Sequence, residues 1–175
     1  MMQTEIFETP ANRWQDAAPL LVILGSVSLL GGAFAFEIFA DLKPCTLCIW
    51  QRWPHAIAII LGILALGAPG GARILLLVMA AIAVWSSAAI AGFHVGVEQQ
   101  WWPGTASCGA ANTPNSLQAL MAQLKAQPII RCDEVAWSLL GLSMAAYNLV
   151  FSMSLGGLIL TAAGRLELRR FNDEC

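Results

Sequence analysis

Four long apolar runs, separated by shorter polar stretches, dominate the pattern of residues along the chain. They cover residues 19–40, 49–68, 74–93 and 135–161. Each run can cross a hydrocarbon core of roughly 30 Å, which takes about 20 helical residues. None shows the apolar–polar alternation of a barrel strand, so helices are the structure that satisfies its backbone in lipid. The pattern predicts a single all-α membrane domain, an up-and-down bundle of four transmembrane helices.

The first two runs carry polar residues that need an explanation. The first run has a cleaved signal peptide as its alternative, but it is long and its leader holds Glu5, Glu8 and Asp16, whereas signal peptides begin with basic residues. The second run has Arg52 and His55 in its first two turns. A charge at that depth lies near the lipid headgroups, where it costs less than at the centre of a helix. Both runs are therefore predicted to be membrane spans.

The connections between the runs differ in length. Residues 41–48 and 69–73 are short, whereas residues 94–134 form a long loop. Apolar residues recur at helical spacing inside that loop, at Leu117, Leu120, Met121 and Leu124. The spacing predicts a short amphipathic helix on the membrane surface, although a helix that packs only on its own loop fits the pattern equally well.

Basic residues near the ends of the runs predict the orientation of the bundle. Residues 1–18, 69–73 and 162–175 share one side of the membrane and hold five of the nine lysines and arginines. Three of those five follow the last run directly, in the segment RLELRR at residues 165–170. Because cytoplasmic segments are enriched in basic residues, we expect both termini to be cytoplasmic.

The composition agrees with a membrane protein and excludes one class of partner. Hydrophobic residues make up 58% of the chain and charged residues only 11%, against about a quarter in soluble proteins. The net charge of -2 provides no basic field for nucleic acid. We therefore exclude a nucleic-acid-binding protein.

Five cysteines divide between the two sides of the predicted bundle. Cys45, Cys48, Cys108 and Cys132 lie on the side opposite both termini, and Cys175 lies alone on the other side. If the shared side is an oxidising compartment, the four thiols can form two disulfides while the fifth stays reduced. No role for Cys175 follows from the sequence.

The segment LKPCTLCIWQR at residues 42–52 carries the most specific motif. It places the C-x-x-C pair Cys45 and Cys48 at a helix start, where the helix dipole favours a thiolate. Arg52 follows Cys48 by four residues, so a continuous helix puts its guanidinium on the same face. That cation would lower the thiolate pKa and stabilise negative charge on a bound acceptor. The motif predicts a redox pair.

A C-x-x-C pair is also half of many zinc sites, and His55 and His94 are its obvious partners here. The spacing alone is consistent with either chemistry. A neighbouring cation opposes metal binding, so the position of Arg52 favours the redox interpretation and a site without metal.

Cys108 and Cys132 have two possible roles. A structural disulfide between them would stabilise the long loop by roughly 3.5 kcal/mol. Alternatively, a second dithiol on the same side can exchange with Cys45 and Cys48, because a thiolate can attack a neighbouring disulfide. The two pairs would then form a relay.

Three further residues are candidates near the C-x-x-C motif. His94 ends the third run on the cysteine side, and Glu37 lies near the outer end of the first; each can also be an interfacial residue with no role in chemistry. Trp50 lies close enough to the motif to line an apolar ligand site.

Taken together, these residues resemble the disulfide bond formation protein B (DsbB) family over residues 19–151. The matching features are KPCTLC at residues 43–48, Arg52, His94, WP at 102–103, CG at 108–109, CDEVAW at 132–137 and GLSM at 141–144. The chain departs from the family at Ala145 and Tyr147, where the family has proline and tryptophan.

The resemblance implies a protein dithiol:quinone oxidoreductase of the bacterial inner membrane. A periplasmic thioredoxin-fold oxidant of the DsbA type would attack the Cys108–Cys132 disulfide, with Cys108 forming the mixed disulfide. Cys132 would then exchange with Cys45 and release Cys48 as a thiolate beside a quinone, either ubiquinone or menaquinone. Arg52 would support the negative charge of the quinone. His94 and Trp50 are the other expected cofactor-binding residues.

Two alternative functions remain open from the sequence. Vitamin K epoxide reductase is a similar bundle that moves electrons between thiols and a quinone-like substrate, although its C-x-x-C lies near the fourth helix rather than the second. A metal-binding or purely structural membrane protein is the alternative from a different class.

Overall fold

The computed structural model describes residues 17–105, 108, 116–118, 121 and 131–174. Four long helices account for most of these residues: α1 (Ala18–Phe39), α2 (Thr46–Gly67), α3 (Gly70–Glu98) and α4 (Met144–Glu174). Each helix contains a segment long and apolar enough to cross a membrane. The predicted four-helix membrane bundle is confirmed.

Helix α3 packs against both α2 and α4, and α1 packs mainly on α2. Small residues allow these close approaches: Ala80 and Ala88 of α3 are fully buried. At Gly156 of α4, an added Cβ would clash with the indole ring of Trp85, so this contact between α3 and α4 requires glycine. Large apolar side chains such as Leu24, 63% exposed, cover the outside of the bundle. That distribution is typical of a protein surrounded by lipid.

Helix α2 begins earlier than its predicted span because Cys45 caps it. The Cys45 Sγ accepts a hydrogen bond from the backbone N–H of Cys48 at 3.3 Å, which satisfies one of the free donors at the helix start. Cys48 therefore lies in the first turn of the helix instead of in the preceding loop. His94 likewise lies within α3, which continues to Glu98.

Helix α4 begins at Met144, later than the predicted start at residue 135. Two short strands, β1 (Ser138–Leu139) and β2 (Leu142–Ser143), form an antiparallel hairpin in its place. The turn residues Leu140 and Gly141 both have positive φ, 51° and 80°, as tight hairpin turns require. The apolar residues of this hairpin continue the pattern of the helix, which explains the wrong boundary.

The side chain of Ser143 fixes where α4 starts. Its Oγ accepts a hydrogen bond from the backbone N–H of Ala146 at 3.2 Å, in the manner of a helix cap. At the other end, α4 extends to Glu174, beyond the predicted end at residue 161.

Part of the predicted amphipathic helix is described. Leu117, Gln118 and Met121 are helical. Leu120, Leu124, Cys175 and residues 1–16 lie outside the described residues.

Candidate functional site

Hydrogen-bond donors converge on the sulfur of Cys45. The Cys48 thiol lies 2.9 Å from the Cys45 Sγ, the Cys48 backbone N–H is at 3.3 Å, and the His94 Nε2 is at 3.6 Å. The hydrogen bond from the Cys48 thiol is the largest influence on the pKa of Cys45 and lowers it; burial opposes this shift and His94 supports it, and the pKa of Cys45 lies well below its ordinary value. The donors around its sulfur thus favour the thiolate form of Cys45.

This arrangement predicts how the Cys45–Cys48 dithiol titrates. In a Cys175→Ser background with the Cys108–Cys132 disulfide intact, thiolate absorbance should rise with a midpoint well below the ordinary value of 9.0. His94→Gln should move that midpoint upward, because it removes a donor to the sulfur. Ultraviolet absorbance against pH measures both. A midpoint near 9 in the starting protein would contradict the geometry.

The second cysteine pair packs directly against the first. Cys108 and Cys132 form a disulfide, and both belong to one buried apolar cluster with Cys45. The cluster also contains Leu47 and Val97. The structure thus brings all four predicted site cysteines together at one end of α2 and α3.

The ring of His94 joins the two pairs. Besides the Cys45 sulfur, it has the backbone of Cys132 as a hydrogen-bond partner. The Gln51 side chain holds the opposite edge of the ring, with its Nε2 3.0 Å from the His94 Nδ1. Because an amide N–H donates, Nδ1 accepts, and the proton of a neutral His94 lies on Nε2, facing the sulfur. With only 4% of its surface exposed, His94 is a buried residue and not an interfacial one.

A cavity of about 330 Å³ opens beside the C-x-x-C pair. Polar residues in its wall include Cys48, Arg52 and His94, and aromatic residues include Phe36, Trp137 and Phe151. This volume and this mixture of apolar wall with a few polar groups are typical of small-molecule sites.

Comparison of the sequence with known proteins places the chain in a family. The family described as disulfide bond formation protein DsbB matches residues 15–162. The chain belongs to the DsbB family. Within that family, it is a multi-pass membrane protein with a thiol oxidoreductase role in disulfide bond formation.

Individual relatives match over most of their length. Disulfide bond formation protein B of Polaromonas naphthalenivorans is 32% identical over 167 residues, 86% of this chain and 92% of the relative. The protein of the same name from Xanthomonas campestris is 32% identical over 152 residues, 82% of this chain and 87% of the relative. An uncharacterized protein of Rickettsia prowazekii, RP370, is 29% identical over 139 residues, 78% of this chain and 80% of the relative. No solved structure gave a significant match.

Arg52 of this DsbB-family chain forms an ion pair that the sequence did not indicate. Its Nη1 donates to the Glu37 Oε2 at 2.6 Å, and its guanidinium lies 4.6 Å from the centre of the Phe34 ring. Its Nε has no hydrogen-bond partner among the described residues. Arg52 is therefore positioned by α1, through Glu37 and Phe34.

Trp50 lies elsewhere than predicted. It is not part of the cavity wall, and 47% of its surface is exposed. Trp53 follows Trp50 by three residues and is 67% exposed, so the two tryptophans share the outer face of α2. The prediction that Trp50 lines the ligand site is not supported by this geometry.

Several polar residues of the site were missed from the sequence. Gln51 follows Cys48 by three residues and Glu98 follows His94 by four, spacings that place each on the same helical face. The Glu98 Oε1 lies 3.8 Å from the His94 Nε2. The i+3 and i+4 spacings could have indicated both residues. The partner of Gln51 on α4, Asn148, could be found only from the fold.

Three of the four metal ligands predicted from the sequence lie close together in the structure. The ligand atoms of Cys45, Cys48 and His94 lie within 4.8 Å of one another. His55, the other expected ligand, instead has its Nε2 3.2 Å from the Asn148 Oδ1. Within the part of the chain that the structure describes, two thiols and one imidazole make an incomplete set for a structural zinc ion, which normally takes four protein ligands.

Proposed function

We propose that this DsbB-family protein is a protein dithiol:quinone oxidoreductase of the bacterial inner membrane, with both termini cytoplasmic and the four clustered cysteines at the periplasmic side. Its donor would be a thioredoxin-fold oxidant of the DsbA type. The observation that carries this proposal is the packing of two cysteine pairs in one cluster beside a largely apolar cavity whose wall includes Arg52. Thiol exchange needs cysteine pairs in contact, and a quinone site needs an apolar cavity with a polar group in its wall.

Electrons would enter through the loop pair. A thiolate of the partner attacks Cys108, the Cys108–Cys132 bond breaks, and Cys132 leaves as a thiolate. The second thiol of the partner then releases Cys108 and completes the partner's disulfide. Cys132 lies in the same cluster as Cys45, so it can attack a Cys45–Cys48 disulfide without a long movement.

Two further exchange steps would carry both electrons from the loop pair to Cys45 and Cys48. Attack of Cys132 on Cys45 releases Cys48; attack of Cys108 on Cys132 then restores the loop disulfide and releases Cys45. The donors around Cys45 stabilise it as the leaving thiolate, since a leaving group of lower pKa departs faster. The result is an oxidised partner and a reduced Cys45–Cys48 pair that holds two electrons and two protons.

The residues of the cavity suit a quinone. Its carbonyl oxygens are acceptors, and Arg52, whose guanidinium is a charged donor, belongs to the cavity wall. Phe36, Trp137 and Phe151 provide apolar surface for a ring and its tail. When bound, a quinone supplies the acceptor for the two electrons and two protons that the C-x-x-C pair gives up. A strong acceptor is needed because DsbA has a reduction potential of about −120 mV.

The direct test uses purified protein and a reduced thioredoxin-fold partner. Quinol absorbance is followed with and without added ubiquinone or menaquinone. The proposal predicts quinol formation that depends on both the partner and the quinone. Oxidation of the partner without any quinone consumption would overturn it.

Arg52→Ala should raise the apparent KM for quinone by about tenfold, the effect of losing one charge-assisted hydrogen bond. Glu37→Gln is the matched control, because it removes the ion pair but keeps the cation; its KM should change less. Steady-state quinone reduction at several quinone concentrations measures both. An unchanged KM in Arg52→Ala would mean that Arg52 serves only the contact between α1 and α2.

Zinc binding is the second candidate, favoured by the three clustered ligand atoms of Cys45, Cys48 and His94. Metal analysis of the detergent-purified protein tests it. One zinc ion per protein, lost in the His94→Gln variant, would support zinc binding over the redox function.

A further inference from the structure

Polar side chains between α2, α3 and α4 form a hydrogen-bond network that the proposed chemistry does not use. Asn148 of α4 is bonded to Ser87 of α3 and to Gln51 of α2. Gln51 is bonded in turn to His94 of α3. Ser87 is fully buried and Gln51 is 7% exposed. Because a buried polar group is costly unless each donor meets an acceptor, the direction of every bond in this network is constrained.

The directions can be worked out from one fixed point, the backbone carbonyl of Gln51. A carbonyl oxygen only accepts, so the Ser87 hydroxyl donates its single proton to it, over 2.9 Å. The Ser87 oxygen must then accept from the Asn148 amide nitrogen at 3.1 Å, and the same nitrogen donates to the Gln51 Oε1 at 2.7 Å. The Asn148 oxygen accepts from the Ser152 hydroxyl at 2.9 Å, which agrees with this orientation.

The orientation of Asn148 decides how Gln51 meets His94. The Gln51 Oε1 accepts from Asn148, so the Gln51 Nε2 is the atom that lies 3.0 Å from the His94 Nδ1. Turning the Gln51 amide over would place its N–H groups against those of Asn148. The His94 Nδ1 is therefore held as an acceptor, and the ring carries its proton on Nε2. That edge faces the Cys45 Sγ at 3.6 Å and the Glu98 Oε1 at 3.8 Å.

We propose that Asn148 is a positioning residue for thiol exchange: through Gln51, it keeps the proton of His94 directed at the Cys45 sulfur. This inference rests on the proposed function, in which Cys45 is released as a thiolate. A donor that already faces the sulfur stabilises the negative charge as it develops, and the ring does not have to turn. In this network, Asn148 reaches the sulfur only through Gln51 and His94.

The stabilisation can be measured as a reduction equilibrium, without quinone or partner protein. The full-length Cys175→Ser protein in detergent is equilibrated with glutathione buffers under anaerobic conditions. Alkylation followed by mass spectrometry then counts the thiols of Cys45 and Cys48 separately from those of the loop pair. Asn148→Leu should shift the Cys45–Cys48 equilibrium toward the disulfide by about fivefold, the effect of one hydrogen bond. For a two-electron couple, that shift is a fall in potential of about 20 mV.

Ser152→Ala is the matched control, because it removes a partner of the Asn148 oxygen and leaves the bonds of the amide nitrogen in place. Its equilibrium should stay within about twofold of the starting protein. In a His94→Phe background, Asn148→Leu should likewise have less than about a twofold effect, since the residue through which it acts is gone. No shift when His94 is present, or an equal shift in both backgrounds, would overturn the inference.

Nitrogen NMR keeps the test valid even if Asn148→Leu does not fold. The chain has only two histidines, so histidine labelled with nitrogen-15 gives two rings, which His94→Phe assigns. Using a histidine-free affinity tag, we expect His94 at neutral pH to show a protonated Nε2 and a bare Nδ1. A protonated Nδ1 would contradict the inference. Neither experiment uses a quinone, so a negative result leaves the quinol assay standing, and failure of that assay would remove the proposed function without altering the bonds measured here.

Discussion

Cys45→Ser and Cys48→Ser should each reduce partner-dependent quinol formation by more than about 10³-fold, the scale on which losing a covalent nucleophile acts. Either change leaves one sulfur beside the cavity, so neither variant can form the disulfide that returns two electrons to the acceptor. The measurement is quinol absorbance with a saturating reduced partner.

Two controls separate chemistry from folding in that experiment. Cys175→Ser should keep full turnover, since Cys175 has no part in the proposed exchange. Thiol labelling under non-reducing conditions should show that the Cys108–Cys132 disulfide still forms in both serine variants. Undiminished turnover in Cys45→Ser or Cys48→Ser would exclude the relay.

Cys132→Ser should stop turnover and accumulate a mixed disulfide between Cys108 and a thioredoxin-fold partner. Without Cys132, Cys108 has no disulfide partner within the protein, so its thiolate attacks the disulfide of the oxidised partner. No Cys132 thiol remains to resolve the mixed disulfide that forms. A second cavity, of about 200 Å³, borders Cys108, with Trp102 and Asp133 in its wall. We expect the partner's sulfur to approach Cys108 from this side.

Non-reducing electrophoresis followed by mass spectrometry would detect the adduct. The double variant with serine at both Cys108 and Cys132 is the control and should give none. If Cys132→Ser traps no partner and retains turnover, the Cys108–Cys132 disulfide only stabilises the loop. Electrons then reach the C-x-x-C pair without passing through it.

The hydrophobic pattern was sufficient to predict the number of helices, and the reason is physical. Only a helix hides its backbone polar groups within one segment, so a long apolar run has one stable structure in lipid. The same pattern failed at residues 135–143. There Gly141 and the capping Ser143 allow a hairpin whose side chains are as apolar as those of a helix.

Some contacts within the site follow from helical spacing, but the decisive ones do not. The C-x-x-C motif indicated that Cys45 would lie at a helix start, and the cap confirms it. From the sequence, Arg52 was expected to lower the pKa of a thiolate in the C-x-x-C pair, because it follows Cys48 by four residues. In the structure, Arg52 pairs with Glu37 of α1 instead, and the donors face Cys45.

What the sequence determined by itself was local: four apolar spans, a C-x-x-C pair at a helix start, and a family resemblance in the motifs around it. The tertiary structure decided which polar groups meet across helices. His94 reaches Cys45 from 49 residues away, and Asn148 reaches His55 from 93 residues away. Such contacts depend on how α2, α3 and α4 rotate against one another, and small buried residues along the whole helices set that rotation. No local pattern encodes it.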